Sequence, residues 1–215
     1  MIPTTIPRAT RLLIALIAIG LWSLPLPGAA QGLTPMQEAM LQSVSNTTVD
    51  AEGEYIAFTR TQPVNPREEN ASSASHLFVL DTSTGEEEAL YTDGSVGNIT
   101  FRPDRGTLTF LTARDDDDGR ALYEMDPGTG EMTQLYAFDQ SMISYAWASD
   151  GDRIAFSAAE EIDVPESDLP YQPNLYEENR PNRFAYTVDV TEDAEAQQLN
   201  VEGTVYQMNW SPSGE

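Results

Sequence analysis

The stretch Trp147-Ala-Ser-Asp-Gly-Asp-Arg-Ile-Ala-Phe156 decides the fold, because variants of it occur four times along the chain. In the complete copies, a strand that ends on an apolar residue is followed by a turn rich in Asp and Gly and then by a second strand. The last copy meets the end of the chain inside its turn, so we expect a repetitive architecture of which this chain holds a part. The other copies are Val49-Asp-Ala-Glu-Gly-Glu-Tyr-Ile-Ala-Phe58, Phe101-Arg-Pro-Asp-Arg-Gly-Thr-Leu-Thr-Phe110 and Trp210-Ser-Pro-Ser-Gly-Glu215.

Further landmarks follow the first two copies in the same order: a third strand that ends on Asp, a Thr-Gly-Glu turn, and a Leu-Tyr pair. Agreement in phase over four landmarks predicts a four-stranded antiparallel unit. The copies begin 52, 46 and 63 residues apart (101−49, 147−101, 210−147), and four-stranded propeller blades repeat at about 40 to 50 residues. The landmarks are Asp81, Thr84-Gly85-Glu86 and Leu90-Tyr91 in one unit, and Asp126, Thr129-Gly130-Glu131 and Leu135-Tyr136 in the next.

The predicted fold class is therefore all-β, a partial β-propeller of three four-stranded antiparallel blades plus the first strand of a fourth. An open antiparallel sheet or a sandwich is the alternative, but it explains the alternation of apolar residues without explaining the phased repeat. The incomplete propeller is expected at 44–215, with blades at about 44–92, 96–138 and 142–200 and the start of the next blade at 204–215.

The beginning of the chain predicts export. Arg8 and Arg11 precede an apolar run, and the small residues Gly28-Ala29-Ala30 follow it, which is the pattern of a cleavable signal peptide. We expect a signal peptide of residues 1–30, cleavage after Ala30, and a periplasmic or secreted mature protein. An uncleaved anchor is the alternative, although the apolar run is short for the roughly 20 residues that span a bilayer. The chain has no Cys, which excludes disulfides.

A lead-in segment, residues 31–43, is expected to contain a short helix. In Thr34-Pro35-Met36-Gln37, Thr can cap a helix, Pro fits its first turn, and Gln can reach back to the cap. The sequence predicts a helix from Pro35 to about Gln42.

The charge balance limits the classes of partner. The chain has 11 Arg and no Lys against 35 Asp and Glu, a formal net charge of −24. Phosphate backbones and anionic lipid headgroups would be repelled, so we expect neither nucleic acid nor, after signal cleavage, a membrane as partner. A solvated surface suited to salty surroundings explains the acidity; a binding face for basic ligands is the alternative.

The repeat phrase resembles the propeller repeat shared by prolyl oligopeptidase family serine peptidases, which include acylaminoacyl and dipeptidyl peptidases, and by the periplasmic Tol-system propeller protein. Two stretches favour the peptidases. Leu33-Thr-Pro, with the short helix and Leu41-Gln-Ser-Val-Ser, resembles the lead-in to their first blade. Tyr176-Glu-Glu-Asn-Arg-Pro-Asn-Arg183 is similar to a segment inserted in the same place. The resemblance covers about residues 33–215.

The resemblance implies the N-terminal portion of an exported enzyme that hydrolyses short peptides. In such peptidases the propeller limits access to a C-terminal α/β-hydrolase domain, which carries the catalytic Ser, Asp and His and is missing from this chain. The alternative is a non-enzymatic periplasmic propeller of the Tol type that binds protein partners. A WD-type scaffold is disfavoured because the Gly-His and Trp-Asp landmarks are absent.

The residues themselves give no catalytic site. No Gly-x-Ser-x-Gly elbow occurs, and the single His76 has no upstream nucleophile to serve. We interpret His76 as a polar residue where a strand begins. Asp115-Asp-Asp-Asp118-Gly119 lacks the alternating register of a calcium loop, so a solvated loop is expected, with no metal. No cofactor is expected.

Glu177 and Glu178 are the candidate substrate-binding residues. By resemblance to dipeptidyl peptidases, a glutamate pair that follows a Tyr in an inserted propeller segment holds the free amino terminus of the substrate. Two carboxylates suit one ammonium group because charge-assisted hydrogen bonds are strong. This chain departs from the motif in lacking a preceding Asp-Trp. Solvation of the pair, or pairing with Arg180 or Arg183, is the alternative.

Overall fold

The computed structural model describes residues 32–114, 117, 119–161, 181–191 and 194–211. Contacts divide the chain into two compact units, Met1–Glu38 and Ala39–Glu215. The predicted signal peptide lies outside the described residues. Within those residues, no helix is long and apolar enough to cross a bilayer.

Regular structure in the described part is almost entirely β. The strands of the first sheet are β1 (Val44–Val49), β2 (Tyr55–Gln62), β3 (Ala74–Asp81) and β4 (Glu87–Tyr91). Those of the second are β5 (Gly97–Phe101), β6 (Leu108–Thr112), β7 (Ala121–Met125) and β8 (Met132–Tyr136). Those of the third are β9 (Met142–Trp147), β10 (Arg153–Ala159), β11 (Arg183–Asp189) and β12 (Gln197–Gln198).

Each sheet is formed by four consecutive strands in chain order, and every neighbouring pair is antiparallel. This arrangement confirms the predicted fold class, a partial β-propeller, and we call the sheets blades 1, 2 and 3 in chain order. The β1–β2, β5–β6 and β9–β10 hairpins contain the Asp- and Gly-rich phrase with which each repeat was recognised. The long connections between second and third strands all lie at the opposite end of the sheets, because the strands alternate in direction.

The short helix, α1 (Pro35–Ala39), begins where the sequence predicts and ends earlier than Gln42. Its first turn is a capping box: the Gln37 backbone N–H donates to Thr34 Oγ1 (3.2 Å), and the Thr34 N–H donates to Gln37 Oε1 (2.9 Å). None of its residues is buried. A helix without an apolar face to bury gains little from extension, so it stops after a single turn.

Two apolar clusters join the blades. Each contains aliphatic and aromatic side chains from two neighbouring blades. Phe110 and Tyr123 of blade 2 lie against Ala57 and Leu77 of blade 1. The second cluster contains Leu111 and Leu122 from blade 2, with Ile154, Phe156, Tyr186 and Val188 from blade 3.

The fourth repeat differs from the prediction. Residues 204–210 form no strand, because they make no ladder of hydrogen bonds with another strand of the described residues. Trp210 nevertheless occupies the position of its repeat: its Nε1 donates to the Ala146 carbonyl (2.9 Å), and the Arg153 guanidinium lies 4.9 Å from its ring. Trp147 also lies near a guanidinium of the preceding blade, 4.5 Å from that of Arg102, but its Nε1 donates to the Thr109 hydroxyl (2.9 Å). Trp210 thus contacts the preceding blade, as Trp147 does, although its segment forms no strand with the described residues.

The Thr-Gly-Glu landmark forms the same turn in blades 1 and 2. Asp81 Oδ1 accepts hydrogen bonds from the backbone N–H groups of Ser83 (2.8 Å) and Thr84 (3.0 Å), and Asp126 Oδ1 accepts the equivalent bonds in blade 2. The Ser83 hydroxyl and these backbone N–H groups lower the pKa of Asp81. The following Gly has a positive φ in both turns, 73° at Gly85 and 71° at Gly130, so the repeat fixes a turn as well as strands.

The β5–β6 and β9–β10 hairpins meet at Arg102 and Gly151. Arg102 is 4% exposed; its Nε donates to the Gly151 carbonyl (2.7 Å), and its Nη1 to Glu124 Oε1 (3.2 Å). Gly151 has a φ of 68°, and a Cβ there would lie 2.5 Å from the Pro103 carbonyl oxygen. One buried guanidinium and one glycine thus fix the spacing between blades 2 and 3.

Candidate functional site

The predicted substrate-binding pair, Glu177 and Glu178, lies outside the described residues, and its binding role stays a prediction. The insertion that contains it leaves β10 and returns to β11, and its two ends are joined at the base. The Glu160 N–H donates to the Asn182 carbonyl (2.8 Å), and Asn182 Nδ2 donates to Glu160 Oε2 (2.9 Å). The Thr204 hydroxyl donates to Asn182 Oδ1 (3.2 Å). The insertion is therefore held at a closed base.

The equivalent connection in blade 2 is held by Asp117. Its Oδ2 accepts hydrogen bonds from the Tyr123 hydroxyl and the Arg114 N–H, both 2.8 Å, and its Oδ1 accepts one from Gln134 Nε2 (3.0 Å). Burial acts to raise the pKa of the Asp117 carboxyl, but these hydrogen bonds outweigh burial and lower it. Burial and the Asp117 carboxylate raise the pKa of Tyr123 to about 12. This carboxylate is engaged in holding the connection to the blade.

We expect Asp117→Asn to destabilise the protein at neutral pH and to lose that effect in acid. Because the pKa of the Asp117 carboxyl is lower in the folded than in the unfolded protein, its ionised form stabilises the fold at pH values above the unfolded pKa of about 3.9. This contribution is lost as the pH falls through the folded pKa. Urea unfolding of both proteins at pH 7 and at successively lower pH measures the difference. Asp93→Asn, at an exposed carboxylate, should change stability little at any pH. A difference that does not depend on pH would contradict the assignment.

The sequence also singled out His76 and the acidic run Asp115–Asp118. His76 is the third residue of β3 and pairs with Arg60 of β2. Of the residues Asp115–Asp118, Asp117 alone is described. Within the described ranges, no group of three or more His, Asp or Glu side chains is placed to bind a metal ion.

A groove of about 520 Å³ lies along the first strands of blades 2 and 3, with residues 206–209 as its third wall. Tyr145 and Trp147 are two residues apart on β9 and share a face. The Tyr145 hydroxyl (2.8 Å) and Trp147 Nε1 (2.9 Å) both donate to the buried Thr109 Oγ1, which donates to the Thr100 carbonyl (3.0 Å). Burial raises the pKa of Tyr145. The polar atoms of both rings are thus satisfied within the protein.

Sequence reasoning identified Trp147 and Trp210 as landmarks of the repeat but did not identify this groove. The available signal was the alternation in Tyr145-Ala-Trp147, which places two aromatic residues on one face of a strand. The third wall, residues 206–209, comes from the next repeat, and only the packing of the repeats brings it to the groove.

The comparisons with known proteins support the fold. No protein-family model matches the chain, and no curated protein matches it in sequence. Its structure is similar to an acylaminoacyl peptidase of Pyrococcus horikoshii, with a TM-score of 0.55 and 10% identity over 76% of this chain and 26% of the peptidase. It is also similar to TolB of Acinetobacter baumannii, with a TM-score of 0.50 and 17% identity over 78% of this chain and 35% of TolB. This chain therefore spans about a quarter to a third of these proteins, and at such identities the similarity shows the propeller fold alone.

Proposed function

We propose that this chain is the N-terminal propeller portion of an exported serine peptidase of the prolyl oligopeptidase family, with the propeller limiting access to short peptides. The observation that carries the proposal is the insertion between β10 and β11. It contains Tyr176-Glu-Glu and continues to Arg183, as in the peptidase segment it resembles. The closed base formed by Glu160 and Asn182 supports this role, because it fixes both ends of the inserted segment.

The proposal is tested on the full-length protein encoded by the gene, by labelling of a reactive serine and by hydrolysis of peptides. A peptidase of this family should react with a fluorophosphonate at a single serine beyond residue 215, and mass spectrometry of the labelled peptide locates that serine. It should also hydrolyse peptides of a few residues faster than a folded protein substrate. Absence of both labelling and hydrolysis would contradict the proposal and favour the alternative, a Tol-type propeller that binds protein partners without catalysis.

The glutamate pair provides a sharper prediction. In the full-length enzyme, replacing Glu177 and Glu178 together by Ala should raise KM about tenfold for peptides with a free amino terminus. A charge-assisted hydrogen bond contributes roughly 1.5 to 3 kcal/mol, and about 1.4 kcal/mol corresponds to tenfold in affinity. The same peptides with an acetylated amino terminus have no ammonium group, so their KM should not change.

The exposed pair Glu68 and Glu69 provides the matched control. It lies in the connection between β2 and β3, the equivalent of the insertion in blade 1. Replacing both residues by Ala removes the same charge from the corresponding connection of another blade, and KM should stay as in the parent enzyme. Equal KM values for the Glu177/Glu178 variant and the parent on free-amino peptides would refute the substrate-binding role.

A further inference from the structure

We propose that Asp93 is a site of spontaneous covalent modification, at which the chain forms a cyclic succinimide and then isoaspartate. The dipeptide Asp-Gly occurs three times in the sequence, at 93–94, 118–119 and 150–151. Asp118 lies outside the described residues, and the other two dipeptides differ in their surroundings. This modification concerns the chain itself and does not depend on the proposed peptidase function.

The reaction requires only the dipeptide and water. The backbone nitrogen of Gly94 attacks Cγ of Asp93 and forms a C–N bond, and the carboxyl oxygen leaves as water together with the amide proton. Water then opens the succinimide ring. Addition of water at the side-chain carbonyl restores aspartate, whereas addition at the main-chain carbonyl leaves isoaspartate. Glycine favours the first step because it has no Cβ to hinder its nitrogen.

Both reacting groups are free at 93–94. The dipeptide lies in the connection from β4 to β5, outside any strand, and Asp93 is exposed. Neither the Asp93 carboxylate nor the Gly94 N–H makes a hydrogen bond to a described residue. Closure of the ring at this position therefore breaks no hydrogen bond of either reacting group.

The dipeptide at 150–151 is instead held in a fixed turn. Gly151 is buried, and its N–H donates to the Ala148 carbonyl (3.0 Å). Its carbonyl accepts the hydrogen bond from Arg102 Nε (2.7 Å), and Oδ1 of the preceding Asp accepts one from the Asp152 N–H (3.1 Å). The nitrogen can attack only while the turn is open, which is a small fraction of the time in a well-packed region. We expect this dipeptide to stay unmodified in the folded protein.

Isoaspartate at position 93 should weaken the joint between blades 1 and 2. Directly after the dipeptide, Ser95 Oγ accepts the Ser75 N–H (3.2 Å), and the Val96 N–H donates to the Ser75 carbonyl (2.8 Å). The Thr112 hydroxyl donates to the Ser95 carbonyl (3.1 Å). Isoaspartate lengthens the main chain by a methylene group just before these bonds, so they cannot all keep their geometry. The modified protein should therefore be less stable than the unmodified one.

The test is prolonged incubation of the folded full-length protein near neutral pH, followed by digestion and mass spectrometry. Electron-transfer fragmentation distinguishes isoaspartate from aspartate, and methylation by protein isoaspartyl methyltransferase measures it independently. We expect isoaspartate to accumulate at Asp93 and to be absent at Asp150. The same incubation in concentrated urea should remove this difference, because both glycine N–H groups are then free.

Substitutions check the chemistry in the folded protein. Asp93→Glu keeps the carboxylate but requires a larger ring, so the modification should be lost. Gly94→Ala should slow it, and the new Cβ would lie 3.6 Å from the nearest atom, the Tyr91 hydroxyl oxygen, which is an ordinary van der Waals distance. Asp150→Glu is the matched control and should leave isoaspartate at position 93 unchanged. After incubation, thermal unfolding should occur at a lower temperature in the parent than in Asp93→Glu.

Three results would overturn the proposal: no isoaspartate at Asp93 in the folded protein, equal modification of Asp93 and Asp150 there, or a difference between them that persists in urea. The effect on the joint between blades is refuted if the parent and Asp93→Glu lose the same stability during incubation. Each of these results is obtained whether or not the protein hydrolyses peptides.

Discussion

Gly151→Ala is expected to lower the free energy of unfolding by about 3 kcal/mol. The φ of 68° at this residue alone costs an L-amino acid roughly 1 to 2 kcal/mol. The new Cβ would also lie 2.5 Å from the Pro103 carbonyl oxygen, a backbone atom of the neighbouring blade that cannot rotate away. The hairpins of blades 2 and 3 would have to separate, and Arg102 would lose its hydrogen bond to the Gly151 carbonyl. Urea unfolding measures the change.

Gly106→Ala separates the two contributions. Gly106 lies in the β5–β6 hairpin with a φ of 66°, and a Cβ there would meet nothing within 4 Å. This variant should therefore show the backbone effect alone, about 1 kcal/mol. If Gly151→Ala destabilises the protein no more than Gly106→Ala does, the close approach to Pro103 contributes nothing.

Arg102→Met is expected to destabilise the protein by a similar amount, about 3 kcal/mol. Methionine keeps the apolar stem but removes the guanidinium. The Gly151 carbonyl then has no donor, and the Glu124 carboxylate keeps the Thr107 hydroxyl but loses its cationic partner. Breaking a buried ion pair on one side leaves an uncompensated charge, and such losses are roughly 3 to 5 kcal/mol when burial is complete. The Glu124 side chain is 17% exposed, which places the expected effect at the low end of that range. The contact with the Trp147 ring is lost as well.

Arg105→Met is the control for this prediction. Arg105 also bonds across the same pair of hairpins, to Asp152 Oδ1 (3.0 Å), but its side chain is 53% exposed and that of Asp152 is 70% exposed. Surface ion pairs of this kind contribute roughly 0 to 1 kcal/mol. Equal losses of stability in the two variants, measured by urea unfolding, would show that burial of Arg102 is irrelevant.

The strands could be predicted from the sequence because corresponding strands occur in successive repeats. Alternation of apolar residues alone would have left β4 or β8 uncertain, but the Asp, Thr-Gly-Glu and Leu-Tyr landmarks recur in phase. The structure gives a reason for the Asp landmark, since Asp81 and Asp126 accept the same backbone hydrogen bonds in their turns. The end of α1 was predicted too late, since its sequence pattern continues beyond Ala39 while burial does not.

The contacts between blades could not be predicted in the same way. Arg102 and Gly151 are 49 residues apart, and nothing in either hairpin sequence indicates the other. The groove combines Asn98, Thr100, Phe101 and Pro103 with residues 144–147 and 206–209, and these segments occupy similar places in three successive repeats. The sequence shows that these segments correspond to one another, but it does not show that a cavity lies between them. The cavity depends on how neighbouring blades pack.

The positions of Trp147 and Trp210 affect the order in which the blades can become fully packed. Blade 2 is completed by Trp147, which belongs to the repeat after it, and blade 3 receives Trp210 from the repeat after that. During synthesis from the amino end, blades 2 and 3 therefore complete their packing only after the repeat that follows each of them has begun to emerge.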